Sequence, residues 1–194
     1  MLAAKQSVPG GGGAAALTGA LGAALCSMVG NYTTGKKAYA DVQEDIERLL
    51  AEADDVRACL MGLINADAEA FEPLSRAYGI PKDDPARART IEFATKTACA
   101  APIEMMRQCA RAVPLLEEMG RKGSRLLRSD VLCGAALCGA ALQASSANVY
   151  VNTGSLEDRA FAEELEAEAD ALIAEYAPRA QAVVDAMIAQ LRRG

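Results

Sequence analysis

The sequence predicts an all-α protein, and three observations support this fold class. Ala, Leu, Glu and Arg dominate the composition, aromatic residues make up only 4%, and Trp is absent, a balance that favours helices over sheets. Apolar residues recur at steps of three and four along much of the chain, the spacing of one helix face. No linker interrupts the 194 residues, so we expect one domain, 1–194, built as a bundle of about five main helices, some long or kinked.

The expected helices cover 14–33, 38–78, 85–119, 131–151 and 156–192. Pro102 and Pro114 lie inside the third helix and should kink or interrupt it, because proline lacks an N–H donor. Ser129 or Asp130 is expected to cap the fourth helix. The first and fourth helices are both rich in small residues, so we expect them to pack closely against each other.

Composition also excludes several classes of function. The formal net charge of −6 argues against duplex nucleic acid as a partner, because neutralising phosphates needs a basic surface. The six cysteines form no C-x-x-C pair and histidine is absent, so we expect no metal site and no Ser-His or Cys-His catalysis. Scattered cysteines in helical sequence are typical of small core residues in a reducing compartment, which predicts a cytoplasmic protein.

The segment 14–30 has no charged residue, which raises the question of a membrane span or a signal peptide. It contains Ala and Gly more than Leu, Ile or Phe, so its transfer into lipid is weakly driven, and it is short for a full span. Pro9 and the glycines 10–13 stand where a signal peptide would have a compact basic leader. A buried helix explains the same composition, and we expect no membrane association.

One carboxylate interrupts the longest apolar stripe of the sequence. The stripe runs along the second helix at positions 42, 46, 49, 53, 56, 60, 63, 67, 71, 74 and 78. Only Asp67 is charged. An unpaired carboxylate in an apolar seam loses hydration, so either its pKa rises or a cation or hydrogen-bond donor faces it. Both outcomes suit a proton-transfer group; the alternative is that Asp67 lies at the edge of the stripe, in water or capping a neighbour.

Other polar groups stand out against the helices. The segment 30–37 nearly matches the phosphate-binding pattern G-x-x-x-x-G-K-[ST], but Lys37 replaces the hydroxyl residue, and a helix precedes it where that motif requires a strand. The adjacent cations Lys36 and Lys37 therefore either bind a small anion or offset the dipole of the first helix. Asn148 and Asn152 lie four residues apart near a helix end, where they either present amides to a ligand or cap the helix.

Taken in order, these groups resemble the cyclodeaminase/cyclohydrolase family of folate enzymes, known as small standalone proteins and as the C-terminal domain of formiminotransferase-cyclodeaminase. The matching segments are V-P-G-G-G-G-A-A-A-L-T-G-A-L-G-A-A-L-C-S-M-V from Val8, G-K-K-A-Y from Gly35, D-A-E-A-F from Asp67, G-I-P-K from Gly79, R-S-D-V from Arg128 and N-V-Y-V-N from Asn148. They cover nearly the whole chain. Gly13 departs from the family, which frequently has serine there, so a hydroxyl contact from the loop is in question.

The resemblance implies an all-helical homodimer that binds a tetrahydrofolate derivative as its substrate near Gly10, Gly11 and Gly12, with no tightly bound cofactor. It also implies that Asp67 transfers protons. In the cyclohydrolase reaction, water adds to the methenyl carbon between two folate nitrogens, and the adduct opens to 10-formyltetrahydrofolate. In the cyclodeaminase reaction, the same bridge forms from 5-formiminotetrahydrofolate with loss of ammonia. A partly buried carboxyl with a raised pKa suits either reaction.

Cations are candidates for binding the glutamate tail of the folate, which we expect to be polyglutamylated. Lys36, Lys37 or the basic loop 121–128 would bind its carboxylates. Lys96, in the third helix, either pairs with Asp67 or extends to solvent.

Asp130, Asn148 and Asn152 are candidates for contacts with the pterin. Asp130 would bond the amino-pyrimidine edge, although as a helix cap it needs no ligand. The two asparagines would present amides to the same ligand.

The sequence therefore favours a methenyltetrahydrofolate cyclohydrolase, with a formiminotetrahydrofolate cyclodeaminase as the alternative. The preference rests on the absence of a formiminotransferase domain from these 194 residues. A ligand-binding or structural helical module is the alternative from another class. It predicts that Asp67→Asn has no effect on function.

Overall fold

The computed structural model describes residues 2–193, in which every regular element is helical. The six α-helices are α1 (Gly11–Asn31), α2 (Gln43–Ala77), α3 (Arg87–Ala98), α4 (Ala100–Lys122), α5 (Arg128–Thr153) and α6 (Arg159–Leu191). Short 3₁₀ turns, Lys37–Val42 and Arg125–Leu127, precede α2 and α5. The all-α fold class is thus confirmed, whereas the homodimer stays a prediction.

The predicted third helix is two helices, α3 and α4, which meet at Cys99. Pro102 explains the break, because it has no N–H to donate to the carbonyl of Ala98 four residues earlier. The side chain of Asn152 donates to that carbonyl instead, over 3.1 Å. Pro114 lies inside α4 without interrupting it. An interruption at Pro114 is therefore excluded, whereas a kink there stays a prediction.

Helix α1 packs against α2, α4 and α5 and leaves one face exposed. It has no charged residue, and its glycines face neighbouring helices. A Cβ atom at Gly19 would lie 2.9 Å from Cys109 Sγ of α4 and 3.4 Å from Ala141 Cβ of α5. The close packing expected between the two small-residue helices is therefore confirmed.

The apolar stripe of α2 faces the core as its spacing predicts. Ile46, Leu49 and Leu60 are fully buried, and Leu74 is nearly so. Between Leu60 and Leu74 the stripe opens, and Asp67 is half-buried there. The stripe ends before Tyr78, whose side chain is exposed.

The predicted side-chain cap of α5 is wrong. The helix begins at Arg128, and its cap position is Leu127, which provides no side-chain hydrogen bond. Asp130 lies inside the first turn and accepts a 3.3 Å hydrogen bond from the Ser129 hydroxyl. A carboxylate in the first turn of a helix is stabilised by the helix dipole without acting as a cap.

Two helical segments, 11–31 and 125–153, are long and apolar enough to cross a membrane by length and composition alone. In the first, 61% of the most apolar window is buried inside the bundle. The absence of membrane association stays a prediction.

Candidate active site

Helices α1, α2 and α5 meet at the N-terminal end of α1. Gly12 lies beside Asp67 of α2, and Gly11 lies beside Asn148 of α5. Further along α1, Gly19 lies beside Leu60 and Ala141, so α1 runs antiparallel to both neighbours. The start of α1 therefore meets the C-terminal halves of α2 and α5.

The carboxylate of Asp67 covers the first turn of α1. A Cβ atom at Gly12 would lie 2.5 Å from each Asp67 carboxylate oxygen, a distance that real Cβ atoms do not tolerate. Gly12 is thus required for close approach of the carboxylate to the helix backbone. The observed start of α1 at Gly11, three residues earlier than predicted, places the glycines inside this first turn.

Two influences act on the acidity of Asp67. Burial raises its pKa above the ordinary aspartate value, and a hydrogen bond from the backbone N–H of Gly13 opposes that rise. The desolvation effect is the larger, because the carboxylate is half-surrounded by apolar groups. Asp67 therefore shows both of the predicted alternatives: burial raises its pKa, and a hydrogen-bond donor faces it. That donor is a backbone N–H at a helix terminus rather than a cation.

A cavity of about 180 Å³ lies over Asp67. Its lining residues come from the N-terminal segment, α1, α2, the α3–α4 junction and α5: Ser7, Val8, Gly10, Gly11, Gly12, Asp67, Phe71, Ala98, Pro102, Asn148, Val151 and Asn152. Six of the residues predicted from the sequence are thus brought together here: Gly10, Gly11, Gly12, Asp67, Asn148 and Asn152.

The side-chain amides of Asn148 and Asn152 form different hydrogen bonds, so they offer different groups to the cavity. The amide nitrogen of Asn152 is used by the Ala98 carbonyl, so this residue also closes the α3–α4 break. The amide nitrogen of Asn148 donates to the Ala144 carbonyl of its own helix over 2.9 Å. The Asn148 carbonyl oxygen points at α1, 3.4 Å from where a Cβ of Gly11 would stand, so it offers an acceptor beside the helix terminus.

A larger cavity of about 620 Å³ lies on the adjoining face of α2, between α3, α4 and α6. Ala66 and Ala70 line it, whereas Asp67 and Phe71 line the smaller cavity. The remaining wall is mostly apolar but carries three charged residues, Lys96, Glu104 and Arg107. Helix α2, which carries Asp67, thus has a cavity on each of two adjoining faces.

Lys96 does not pair with Asp67. Its ammonium group contacts Asp158 at 2.6 Å and Glu92 at 3.8 Å, and it lies 5.2 Å from the centre of the Phe161 ring. These partners belong to α3 and to the start of α6, so Lys96 joins the two helices at the edge of the larger cavity. The predicted pairing with Asp67 is therefore wrong.

Lys36, Lys37 and Asp130 do not line either cavity. They follow the C-terminus of α1 or lie at the start of α5, and α1 is 21 residues long. At 1.5 Å per residue this helix separates them from the Gly12 end by about 30 Å. Within one subunit this distance contradicts the expected contact of Asp130 with a pterin bound beside Asp67. Binding of the glutamate tail by Lys36 and Lys37 stays a prediction, for a ligand long enough to reach them.

Sequence reasoning missed several lining residues. Phe71 follows Asp67 by one helical turn on the same stripe, so that spacing was a usable signal. Ala98, Pro102 and Val151 carry no signal, because only the packing of α3 to α5 places them at the cavity. Among residues 2–193, no cluster of three or more acidic or cysteine side chains has the arrangement of a metal site.

The fold and this cavity define a class: an all-helical protein with a half-buried carboxylate beside a helix N-terminus. The chain belongs to the formiminotransferase-cyclodeaminase family, whose model matches residues 1–171. A methenyltetrahydrofolate cyclohydrolase from Methylorubrum extorquens is 43% identical over 178 residues, covering 90% of this chain and 86% of that protein.

Two further relatives are similar over almost the whole chain. A pig (Sus scrofa) formimidoyltransferase-cyclodeaminase is 31% identical over 190 residues, covering 96% of this chain but only 35% of that longer protein. The crystal structure of a formiminotetrahydrofolate cyclodeaminase from Thermotoga maritima matches with a TM-score of 0.84 and 31% identity. That match covers 97% of this chain and 93% of the other, so the helical fold is shared throughout.

Proposed function

We propose that this chain is a methenyltetrahydrofolate cyclohydrolase, which converts 5,10-methenyltetrahydrofolate and water to 10-formyltetrahydrofolate. The position of Asp67 carries the proposal: its half-buried carboxylate faces a cavity at the N-terminus of α1. The similarity to the Methylorubrum cyclohydrolase over most of both chains supports the same activity.

Asp67 performs the proton transfers of this reaction. As water adds to the electron-poor methenyl carbon, the ionised carboxylate accepts one proton from it. When the bond from that carbon to N5 breaks, Asp67 returns the proton to N5, and the hydroxyl proton of the adduct leaves to solvent as the formyl group forms. A group that both accepts and releases a proton works best when its pKa is raised toward the working pH, as burial does here.

The start of α1 keeps Asp67 able to ionise. The first hydrogen bond within this helix runs from Ala14 N to Gly10 O, so the N–H groups of Gly11 to Gly13 have no acceptor in α1. They and the helix dipole favour a negative charge beside them. This attraction opposes the desolvation of Asp67, so both protonation states are accessible during turnover.

The substrate occupies more than the cavity over Asp67. At about 180 Å³ this space is smaller than the usual range of about 300–1,000 Å³ for small-molecule sites. It holds the reacting carbon and the attacking water, beside the Asn148 carbonyl and the backbone of Gly10 to Gly12. The rest of the folate extends beyond this cavity.

The activity is tested by following the loss of methenyl absorbance with wild-type protein and Asp67→Asn. Removing a general acid–base group lowers the rate by about 10²–10⁴-fold. Glu69→Gln is the matched control, because Glu69 is exposed on the same helix two residues away, and its rate should equal that of the wild type. Equal rates for Asp67→Asn and wild type would remove Asp67 from the mechanism and favour the non-catalytic module.

Cyclodeaminase activity is the second candidate, because the Thermotoga structure that shares this fold bears that name. Both reactions pass through a tetrahedral carbon between two folate nitrogens, so one carboxyl serves either. Ammonia release from 5-formiminotetrahydrofolate, measured beside methenyl hydrolysis on the same preparation, separates them. Faster ammonia release than hydrolysis would overturn the cyclohydrolase assignment but keep the role of Asp67.

We propose that two copies associate through the outer face of α1. Leu17, Leu21 and Met28 on this face are 45%, 51% and 37% exposed, and Met61 of α2 beside them is 49% exposed. Neighbouring apolar side chains left in water favour association, and an uncharged helix offers a self-complementary surface for a two-fold dimer. A shallow apolar groove of about 400 Å³ between Leu17, Leu21 and Met61 receives side chains of the second copy.

Light scattering tests this dimer. Leu21→Glu should yield a monomer at micromolar concentration, whereas Phe93→Glu, which alters an exposed apolar residue of α3, should leave a dimer. A wild-type monomer, or a Leu21→Glu dimer, would contradict the proposed interface.

We also propose that the protein works in the cytoplasm. All six cysteines are free thiols, and four of them, Cys26, Cys99, Cys109 and Cys138, are buried. Free thiols in these numbers are typical of a reducing compartment. Cell fractionation with an antibody to the chain tests the location, and recovery in a membrane or exported fraction would contradict it.

A further inference from the structure

A basic groove lies at the opposite end of the bundle from Asp67. It has a volume of about 530 Å³ and runs between the α4–α5 connection and α6. The basic groove is defined by four guanidinium groups, those of Arg121, Arg125, Arg128 and Arg179, and by an apolar floor from α6 that includes Val183 and Met187. Glu117 is the one acidic residue that lines it.

The charge of the basic groove is only partly neutralised by the protein. Arg179 binds both oxygens of Glu117, at 2.9 and 2.6 Å, and this pairing lowers the pKa of Glu117. Over the chain from 2 to 193, no carboxylate lies within 4.0 Å of Arg121, Arg125 or Arg128. Six arginines outside the groove form ion pairs, namely Arg48, Arg57, Arg76, Arg107, Arg111 and Arg159. Among residues 2–193, Arg87, Arg89, Arg192 and Arg193 form none, but they do not share a cavity.

The helix dipoles do not explain this arrangement. Arg121 lies in the last turn of α4, where a cation is favoured. Arg128, however, is the first residue of α5, and Arg125 lies in the turn just before it. Cations at a helix N-terminus are disfavoured by the dipole, and this terminus has no side-chain cap. A bound anion would satisfy both the helix terminus and the guanidinium groups.

The connection that carries these arginines is held in place. The backbone N–H of Ser124 donates to the buried hydroxyl of Thr33 over 2.8 Å, and the backbone N–H of Arg125 donates to the Tyr39 hydroxyl over 3.1 Å. The groove is therefore shaped before a ligand arrives, which lowers the entropy cost of binding.

We propose that the basic groove binds a small anion with two or more phosphate or carboxylate groups, at a site separate from the Asp67 cavity. The guanidinium groups of Arg125 and Arg128 bind the oxyanions, because their planar forks match phosphate and carboxylate oxygens. The apolar floor accepts the rest of the ligand. The proposal does not depend on the proposed cyclohydrolase activity, since it concerns other residues about 30 Å away along α1.

Isothermal titration calorimetry on the full-length protein tests the site, with inorganic pyrophosphate and citrate as probes at low ionic strength. We expect saturable binding of at least one probe, weakened about tenfold in Arg125→Gln and in Arg128→Gln, since each removes a charge-assisted hydrogen bond. Arg89→Gln is the matched control, because Arg89 is exposed on α3 and lies outside the groove; its affinity should equal that of the wild type.

Each outcome of this titration bears on the proposal. Binding of pyrophosphate alone identifies a phosphate ligand, and binding of citrate alone identifies a carboxylate ligand. No saturable binding of either probe would overturn the proposal, as would equal affinities in the wild type and both groove variants. Circular dichroism of each variant separates loss of binding from loss of fold, and two variants are used so that one misfolded protein leaves the other as a test.

Discussion

The two ends of the bundle use glycine and charge in opposite ways. At the start of α1, Gly12 leaves room for the carboxylate of Asp67, with which no cation within residues 2–193 pairs. At the other end, Gly123 leaves room for Met119 and Val29, and three arginines of the basic groove have no carboxylate partner in the described part of the chain. The glycine at the first end thus makes room for a candidate catalytic carboxylate, whereas the glycine at the second end makes room for core side chains. The comparison predicts that glycine substitutions will separate activity from stability.

Among the glycine substitutions, Gly12→Ala should have the largest effect on activity. Its Cβ would lie 2.5 Å from both oxygens of Asp67, so the carboxylate must move by about 1 Å, a displacement that costs on the order of 10²-fold in rate. The methenyl absorbance assay measures this loss. The carboxylate is a movable side-chain end, so the thermal midpoint should change little; a fully active Gly12→Ala would contradict the close approach of Asp67 to α1.

Gly123→Ala should have its main effect on stability. Its Cβ would lie 2.6 Å from the Met119 carbonyl oxygen and 2.9 Å from Val29 Cγ1, contacts that require the backbone to shift. Such overpacking costs about 1–3 kcal/mol in the free energy of unfolding. Urea denaturation measures the loss, and the rate per folded molecule should be unchanged. Reduced activity with unchanged stability would show that the two ends are coupled.

Gly62→Ala is the control for both substitutions. Gly62 lies in α2 and a Cβ there would meet no atom within 4 Å. An alanine in place of a mid-helix glycine stabilises by about 0.5–1 kcal/mol, so this variant should unfold at higher urea concentration and retain full activity.

Asp158→Ala should have a smaller effect, at the edge of the larger cavity. Asp158 caps α6 by accepting from Phe161 N over 3.2 Å, and it binds Lys96 over 2.6 Å. Loss of such a cap lowers the free energy of unfolding. Urea denaturation measures that loss, and a raised KM with unchanged kcat would show that the freed Lys96 had been positioned for substrate. No change in stability would contradict the capping role.

Asp67→Asn should have the smallest effect on stability, and in the favourable direction. Because burial raises the pKa of Asp67 in the folded protein, the folded state binds this proton more tightly than the unfolded state. The stability that Asp67 contributes is therefore present at low pH and lost as the pH rises through the folded pKa. At pH 7 the uncharged asparagine variant should be at least as stable as the wild type, and the difference should shrink on acidification. Glu69→Gln should show no such pH dependence.

The reactive end could be predicted from the sequence because its signals are local. The spacing of the α2 stripe placed Asp67 on the core face, whereas the glycine run was assigned to the substrate site only by the family resemblance. The resemblance to folate enzymes joined these two segments. The α3–α4 break was only half predicted, because proline alone does not show whether another donor, here Asn152, takes over the free carbonyl.

The distance between the two ends was not predicted, because the order of polar residues in the sequence does not give the length and direction of the helices between them. Lys36 and Lys37 follow the glycine loop closely in sequence, yet the 21 residues of α1 carry the chain across the bundle before they appear. Asp130 likewise begins a helix that reaches the cavity only at Asn148. Counting helix lengths between the motifs would have separated the two ends.

The proposed mechanism requires Asp67 to be a half-buried carboxyl with a raised pKa that takes up and releases a proton. A ¹³C NMR titration of its carboxyl carbon, assigned by comparison with Asp67→Asn, measures its pKa in the free enzyme, which the acidic limb of kcat/KM reports independently. We predict that the two midpoints coincide and lie above the ordinary aspartate value of 3.8. A carboxyl midpoint at or below that value, or an acidic limb at a different pH, would contradict the account.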